Sequence, residues 1–126
     1  MNGRQSAEDY LEAILRLQEE RGSCRSIDVA NRMGFSKPSV SVAVGKLTRS
    51  GYLIKREDGE LILTEEGLAL AQDTLEKHCL LTRFFIEIGV SPEQAEKDAC
   101  AIEHSLSQES YQRLLAWQAK PKEEQA

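Results

Sequence analysis

Cysteine, histidine and long apolar runs are all scarce in this chain. The scarcity of cysteine and of apolar runs excludes several classes of protein. The three cysteines, Cys24, Cys79 and Cys100, are odd in number and include no Cys-x-x-Cys pair, which argues against a disulfide framework and against a zinc finger. No apolar stretch approaches the roughly 18 residues that cross a bilayer, and no basic start leads into an apolar run. We therefore expect a cytoplasmic protein whose thiols are free.

The 126 residues carry a net charge of −5, but this charge is unevenly distributed. Residues 21–63 hold eight Lys and Arg against four Asp and Glu, whereas the rest of the chain holds eight against seventeen. A basic segment inside an acidic frame favours nucleic-acid contact that is confined to that segment. The chain is short for a monomer with two lobes, so we expect it to oligomerise.

Residues 26–50 contain two short helical patterns separated by a tight turn. Ser26 is the expected N-cap of the first helix and Gly34 its end, and Ser36 is expected to cap the second, with Pro38 in its first turn. Apolar residues recur at i, i+4 and i+7 on the buried face of the second helix: Val40, Val44 and Leu47. This is the helix-turn-helix pattern, whose second helix enters a DNA major groove.

Two strand-forming runs follow the second helix, between residues 52 and 64. They are joined around Asp58 and Gly59, a dipeptide that favours a tight hairpin turn. A hairpin in this place makes a winged helix, and Lys55 and Arg56 lie toward its tip, where a wing can touch phosphate. A purely structural hairpin is the alternative, because three acidic residues share the tip.

Helical patterns also cover residues 7–20 and about 65–88. Two further helices are expected before a polar tail that starts at Pro121. The serines expected to cap the first helix and the last two are Ser6, Ser91 and Ser107. The later turns of the long helix are too apolar for an exposed connector, so they require a partner helix.

A thiol, a carboxylate and an imidazole share one face of the segment from Glu96 to His104. Cys100, Glu103 and His104 fall within an arc of about 100°, and Glu96 lies one turn earlier on the same face. Divalent first-row metals accept this mixture of sulfur, oxygen and nitrogen ligands. The alternative is a small buried cysteine beside a solvated ion pair of Glu103 and His104.

Two other helical segments offer donors of the same kind, and they favour the metal site. His78 is the only other histidine in the chain and lies in the long helix. Asp9 and Glu12 place two carboxylates at i, i+3 in the first helix. The alternative is that both are first-turn acids stabilised by the helix dipole, and for Asp9 alone this alternative is the better one. Three helices with donors predict a metal pocket between helices.

Over essentially its whole length the chain resembles the DtxR/MntR family of metal-dependent transcriptional repressors. The resemblance is carried by the EDYLEAI opening, the helix-turn-helix and wing, LEKHCLL and CAIEHSLS. It implies a mainly helical fold, with a winged helix-turn-helix DNA-binding domain over residues 1–63 and a helical dimerisation and metal-binding domain over 64–126. It also implies a homodimeric repressor of metal-uptake genes rather than an enzyme, with the metal pocket between the two parts.

The resemblance also implies a set of metal ligands. They are Asp9, Glu12, His78, Cys100, Glu103 and His104, with Glu96 as a weaker candidate. Asp9 and Glu12 match the manganese-sensing branch, whereas Cys100 matches the iron-sensing branch. Mn²⁺ or Fe²⁺ is therefore the expected cofactor, and Co²⁺, Zn²⁺ or Cd²⁺ could substitute for it.

The expected partners are operator DNA and a second copy of the chain, with no membrane and no small-molecule substrate. The residues predicted to contact double-stranded DNA are Ser36, Lys37, Pro38, Ser39, Ser41, Val42, Lys46, Arg49, Lys55 and Arg56. Val42 stands where family members often carry a polar side chain that reads bases. Direct readout by this residue is then limited to apolar contact with a thymine methyl group.

Two alternative functions remain open at the level of sequence. A carboxylate-rich site in which Glu103 bridges two ions about 4 Å apart is also found in hydrolases. A winged-helix regulator could instead bind a small molecule, or sense oxidation through Cys79 or Cys100.

Overall fold

The computed structural model describes residues 3–125, with side chains from Ser6 onward. Seven helices and one hairpin make up this part of the chain. In order they are α1 (Gly3–Arg21), α2 (Ser26–Met33), α3 (Lys37–Arg49), β1 (Leu53–Lys55), β2 (Leu61–Leu63), α4 (Glu65–Glu87), α5 (Pro92–Ile102), α6 (Gln108–Gln118) and α7 (Lys122–Gln125). The predicted fold class, mainly helical with a small antiparallel hairpin after a helix-turn-helix, is confirmed.

The chain forms two compact units, Met1–Asp73 and Thr74–Ala126. The division between them lies inside α4, so the first turns of this helix belong to the first unit. The domain boundary between residues 63 and 64 stays a prediction. Within residues 3–125, no helix combines the length and the hydropathy needed to cross a bilayer.

The first unit has a core of apolar side chains from its helices and its hairpin. Leu11 and Ile14 of α1, Val29 of α2, Val40 of α3 and Leu61 of β2 are all completely buried.

Local sequence signals set the ends of α2 and α3. Gly34 ends α2 in the left-handed conformation at φ 71°, and the Ser36 hydroxyl caps α3 by accepting from the Ser39 amide at 3.3 Å. Both ends agree with the sequence.

Two predicted helix starts in this unit are wrong. The N-cap of α2 is Arg25 rather than Ser26, and the Asp28 carboxylate accepts from the Arg25 amide at 2.9 Å. Arg25 stays extended because its backbone pairs with Glu60 in an antiparallel bridge. Helix α1 begins at Gly3, so Ser6 lies inside the helix and is not its cap.

The wing is fastened to the rest of the first unit along its second strand. Strands β1 and β2 pair with Leu53 opposite Leu63. On the other side of β2, the Leu61 amide donates to the Cys24 carbonyl at 2.8 Å, and the Gln18 side chain donates to the Leu61 carbonyl at 3.0 Å. The segment between α1 and α2 thus meets the hairpin in a single isolated bridge, Arg25 opposite Glu60.

A close approach between backbones joins the turn before β1 to the start of α4. Thr64 caps α4 by accepting from the Gly67 amide at 3.1 Å, and its own hydroxyl donates to the Gly51 carbonyl at 2.6 Å. The backbone at Gly67 lies directly against the carbonyl of Tyr52, so that an added Cβ would overlap it. Only glycine fits this contact.

The second unit consists of the later turns of α4 with α5, α6 and α7. Its buried apolar side chains include Leu80, Leu81, Ala95, Ala99 and Tyr111. Phe84 meets Trp117 of α6 edge to face, with ring centroids 6.1 Å apart. The hydroxyls of Ser91 and Ser107 cap α5 and α6, as predicted.

The polar tail that the sequence predicts from Pro121 contains one turn of helix. Residues 122–125 form the single-turn helix α7. The Gln125 side chain donates to the backbone carbonyls of Trp117, Gln118 and Lys120 at 3.0–3.3 Å. These contacts hold α7 against the end of α6, where the Trp117 carbonyl also accepts from the Lys120 amide at 3.1 Å.

Candidate functional site

A buried histidine and a buried glutamate form the centre of the candidate metal site. His78 lies in α4, and Glu103 follows the last residue of α5 as its C-cap. Nδ1 of His78 is 2.8 Å from Oε2 of Glu103. The Glu103 side chain is 0% exposed. A carboxylate that is withdrawn from water in this way needs a compensating partner, and His78 supplies one.

Cys100 and Glu96 complete the α5 side of this cluster. His78, Cys100 and Glu103 each place one ligand atom within 4.8 Å of the others. Glu96 Oε1 lies 3.8 Å from Nε2 of His78, on a side chain that is largely exposed. Thiolate, carboxylate and imidazole at this separation form a donor set that first-row divalent metals accept.

One buried oxygen of Glu103 remains unsatisfied. Oε1 accepts no hydrogen bond within the described residues, and Nε2 of His104 lies 3.4 Å from it. A buried acceptor without a donor costs about 1–3 kcal/mol, and more if it is charged. A bound cation removes this cost, so the residues present fit a metal ion.

The end of α5 differs slightly from the predicted helical face. The helix ends at Ile102, and His104 lies in the turn that follows. This turn still brings His104 next to Glu103. The alternative of a buried Cys100 beside a solvated ion pair is wrong, because Cys100 is exposed and Glu103 is buried.

Asp9 and Glu12, the predicted ligands from α1, differ in their surroundings. Glu12 is buried and its Oε2 lies 2.8 Å from Nη2 of Arg16, one turn along the helix. Asp9 is partly buried. Arg16 is a neighbour of the candidate ligands that the sequence analysis missed, although a Glu and an Arg at i, i+4 are expected to pair.

All ten residues predicted to contact DNA are exposed. Eight belong to α3 or its N-cap, and Lys55 and Arg56 lie on the wing. Exposure leaves their side chains accessible to a duplex. The buried face of α3, with Val40, Val44 and Leu47, points into the core, so the opposite face is the one that can meet a groove.

The arginines of the first unit differ in whether a carboxylate already holds them. Five have an acidic partner within 2.7–3.7 Å: Arg16, Arg21, Arg25, Arg32 and Arg56. Arg49 of α3 has none among the side chains that the structure describes. Its guanidinium keeps all its donors for a ligand, whereas the charge of Arg56 is partly offset by the Glu60 carboxylate 3.6 Å away.

Both parts of the chain match domains of one known protein family. Residues 4–61 match the N-terminal DNA-binding domain of the iron-dependent repressors, and residues 64–125 match their metal-binding and dimerisation domain. The MntR transcriptional regulator of Salmonella typhimurium is 38% identical over 114 residues, which are 90% of this chain and 73% of that protein. The chain belongs to the DtxR/MntR family. This is a family of metal-dependent, DNA-binding transcriptional repressors and not of enzymes, so the hydrolase alternative is set aside.

Other relatives of this DtxR/MntR protein agree with the assignment. The HTH-type regulator MntR of Listeria monocytogenes is 39% identical over 109 residues, covering 86% of this chain and 77% of the relative. A manganese-dependent repressor solved with manganese aligns over 92% of this chain with a TM-score of 0.82 and 28% identity. The present chain spans 54% of that protein, about half of its length.

Proposed function

We propose that this protein is a metal-responsive repressor of metal-uptake genes, which binds operator DNA in the cytoplasm as a homodimer. The observation that carries the proposal is the buried pair of His78 and Glu103, with Cys100 within ligand distance and one Glu103 oxygen unsatisfied. These groups belong to the matched metal-binding domain, and an exposed helix-turn-helix belongs to the matched DNA-binding domain. Metal sensing and DNA binding are therefore both represented in one chain.

The proposed metal ligands are those that the sequence resemblance names: Asp9, Glu12, His78, Cys100, Glu103 and His104, with Glu96 nearby. In the tautomer that donates from Nδ1 to Glu103, His78 keeps Nε2 as an acceptor. A bound divalent cation supplies positive charge to a group of carboxylates and a thiol. The participation of Asp9 and Glu12 rests on the resemblance, and binding through Glu12 competes with its ion pair to Arg16.

Mn²⁺ and Fe²⁺ are the proposed effectors, with Mn²⁺ preferred. Carboxylates are hard donors that suit Mn²⁺, and they outnumber the single thiol. Solved relatives include a repressor with manganese and ScaR with Zn²⁺ or Cd²⁺. We propose that Co²⁺, Zn²⁺ and Cd²⁺ also occupy the site of this chain, because the thiol of Cys100 favours softer ions.

Exchanging single ligands is expected to change the metal preference. Cys100→Glu replaces a soft donor by a hard one, so its affinity for Mn²⁺ relative to Fe²⁺ should rise. Asp9→Met does the opposite and should lower this ratio. Anaerobic calorimetry with each metal in turn measures the effect. If both variants keep the wild-type ratio, these two residues lie outside the site.

The thiols provide a test of metal binding that does not require DNA. Burial, together with the nearby Asp28 carboxylate, raises the pKa of Cys24 to about 11, whereas Cys79 and Cys100 are exposed. Because the thiolate is the reactive form, iodoacetamide should modify Cys79 and Cys100 at pH 8 and leave Cys24 intact. Zn²⁺ or Mn²⁺ should slow the modification of Cys100 several-fold but not that of Cys79. Mass spectrometry follows the modification of each cysteine. If metal changes the modification rate of neither Cys79 nor Cys100, this result argues against Cys100 as a ligand.

DNA binding is proposed to depend on the exposed cations of α3 and the wing. Each phosphate contact contributes about 0.9 to the slope of log K against log salt concentration. Lys46→Ala and Arg49→Ala should therefore each weaken binding to every duplex and reduce the slope by about 1. Lys120→Ala, a change of equal charge after α6, is the control and should leave the slope unchanged. A wild-type slope in both α3 variants would refute this docking.

The whole proposal is tested by fluorescence anisotropy with duplex DNA selected from a random library by the wild-type protein and Mn²⁺. Binding should require Mn²⁺ or Fe²⁺ and be reversed by a chelator. DNA binding that ignores metal but changes with peroxide would support the thiol-sensing alternative instead.

A further inference from the structure

The face of α3 that points away from the core carries an unusually exposed apolar side chain. Val42 is 59% exposed, more than any other large hydrophobic residue between Ser6 and Asp73. The others are Ile27, Phe35, Ile54 and Leu68, at 42%, 44%, 54% and 36%. Val42 lies on the helix that the matched DNA-binding domain presents to a groove. An apolar group in this position gains by burial when a duplex binds.

The neighbouring turn of α3 leaves room for a base to reach Val42. Gly45 follows one turn later, and a Cβ there would meet only Nη1 of Arg49, at 3.4 Å. Glycine in a helix interior costs roughly 0.5–1 kcal/mol relative to alanine. The helix therefore carries a destabilising residue where a side chain has space. In return, the backbone of α3 between Val42 and Arg49 carries no side chain at Gly45.

Val42 can distinguish bases only by shape and polarity. Its side chain neither donates nor accepts a hydrogen bond, so contact with the polar edge of guanine, cytosine or adenine leaves base atoms unsatisfied. Thymine alone among the four bases presents a methyl group in the major groove. We propose that Val42 selects a thymine in the operator by packing against its C5-methyl group, in the space that Gly45 leaves open. The inference rests on the proposed function, because it requires α3 to enter the groove.

Lys46 provides a natural contrast on the same side of the helix. It lies one turn after Val42, and both border an open cavity of about 260 Å³ that Ser39 and Tyr10 also line. An ammonium group contacts phosphate whatever the sequence, whereas the Val42 methyl groups are uncharged. Val42 is thus expected to govern sequence preference, and Lys46 to govern salt dependence.

Replacement of single thymines by uracil tests the inference, because it removes only the methyl group. The probe is the duplex selected from a random library by the wild-type protein with Mn²⁺, and each thymine is replaced in turn. For wild type, one thymine in each half-site should lose about four-fold in affinity, the effect of one buried methyl group. For Val42→Ala, the same replacement should have no effect, and the salt slope should match wild type. The change is at an exposed residue, and circular dichroism melting confirms the fold.

Two further variants make the result specific. Ile27→Ala removes another exposed apolar side chain, and it should keep the wild-type uracil pattern. Lys46→Ala should reduce the salt slope but retain the uracil effect. The inference is overturned if wild type tolerates uracil at every position, or if the uracil effect persists in Val42→Ala. In either case metal-dependent binding of the unmodified duplex still supports the proposed function, whereas loss of all binding would refute both.

Discussion

His78→Ala is expected to bind operator DNA with the same affinity whether or not Mn²⁺ is present. The change removes the nitrogen donor beside Glu103 and leaves a buried carboxylate without its 2.8 Å partner. For wild type, a shift of the DNA-competent fraction from 1:99 to 99:1 raises apparent affinity about 100-fold and requires roughly 5.5 kcal/mol of preferential metal binding. Glu12→Gln, which keeps the shape of the side chain, should lose the same stimulation. Anisotropy titrations with and without Mn²⁺ measure both variants.

Cys79→Ala is the matched control for His78→Ala, because it alters the adjacent, exposed side chain of α4. It should keep the full response to Mn²⁺. Gel filtration establishes that each variant still forms the wild-type oligomer. The coupling must be reciprocal, so DNA should tighten Mn²⁺ binding by the same factor in wild type. If His78→Ala retains the wild-type metal dependence, His78 is not part of the sensing site.

Gly67→Ala should strongly destabilise the first unit. The added methyl group would overlap the carbonyl oxygen of Tyr52 and lie 3.0 Å from its carbonyl carbon. Tyr52 cannot easily move, because its amide donates to Leu47 at 2.9 Å and its carbonyl accepts from Thr64 at 3.1 Å. Overpacking of this kind costs about 1–3 kcal/mol, and the upper end is expected against hydrogen-bonded backbone. Urea unfolding of the metal-free protein measures the loss.

Gly45→Ala is the control for this prediction, since it makes the same chemical change in another helix. Only the end of the flexible Arg49 side chain meets the new methyl group. The free energy of unfolding should therefore rise by about 0.5–1 kcal/mol, the helix propensity difference between the two residues. If the two substitutions change the free energy of unfolding equally, the contact of residue 67 with Tyr52 does not destabilise the fold.

Elements whose ends depend on local chemistry were predictable from the sequence. Ser36, Ser91 and Ser107 cap α3, α5 and α6 with their own hydroxyls, and each bond spans only three residues. Gly34 adopts positive φ, which few other residues do readily. In each case the signal and the structure that it sets lie within one helical turn.

Elements that depend on distant partners were missed. Arg25 replaces Ser26 as the N-cap of α2 because its backbone pairs with Glu60, thirty-five residues later. Helix α7 is held by Gln125, whose side chain folds back to the end of α6. Neither pairing follows from the spacing of apolar residues.

The candidate metal site also depends on a contact between residues that are distant in the sequence. Spacing alone associates Cys100 with Glu103, which are one helical turn apart. The contact of His78 with Glu103 joins residues 25 positions apart in the sequence, so the donor inventory could only suggest a shared pocket, and the family resemblance named both as ligands. Conversely, the ion pair of Glu12 with Arg16 is local and could have been predicted from its i, i+4 spacing.

The hydrogen bonds between β2 and the segment that joins α1 to α2 have a consequence for how the wing moves. Gln18 and Cys24 attach β2 to the end of α1 and to the segment that follows it. The helix that contains Asp9 and Glu12 therefore also anchors the hairpin that carries Lys55 and Arg56. Because these hydrogen bonds connect α1 and the segment after it to β2, a rotation of α1 is expected to carry the wing with it.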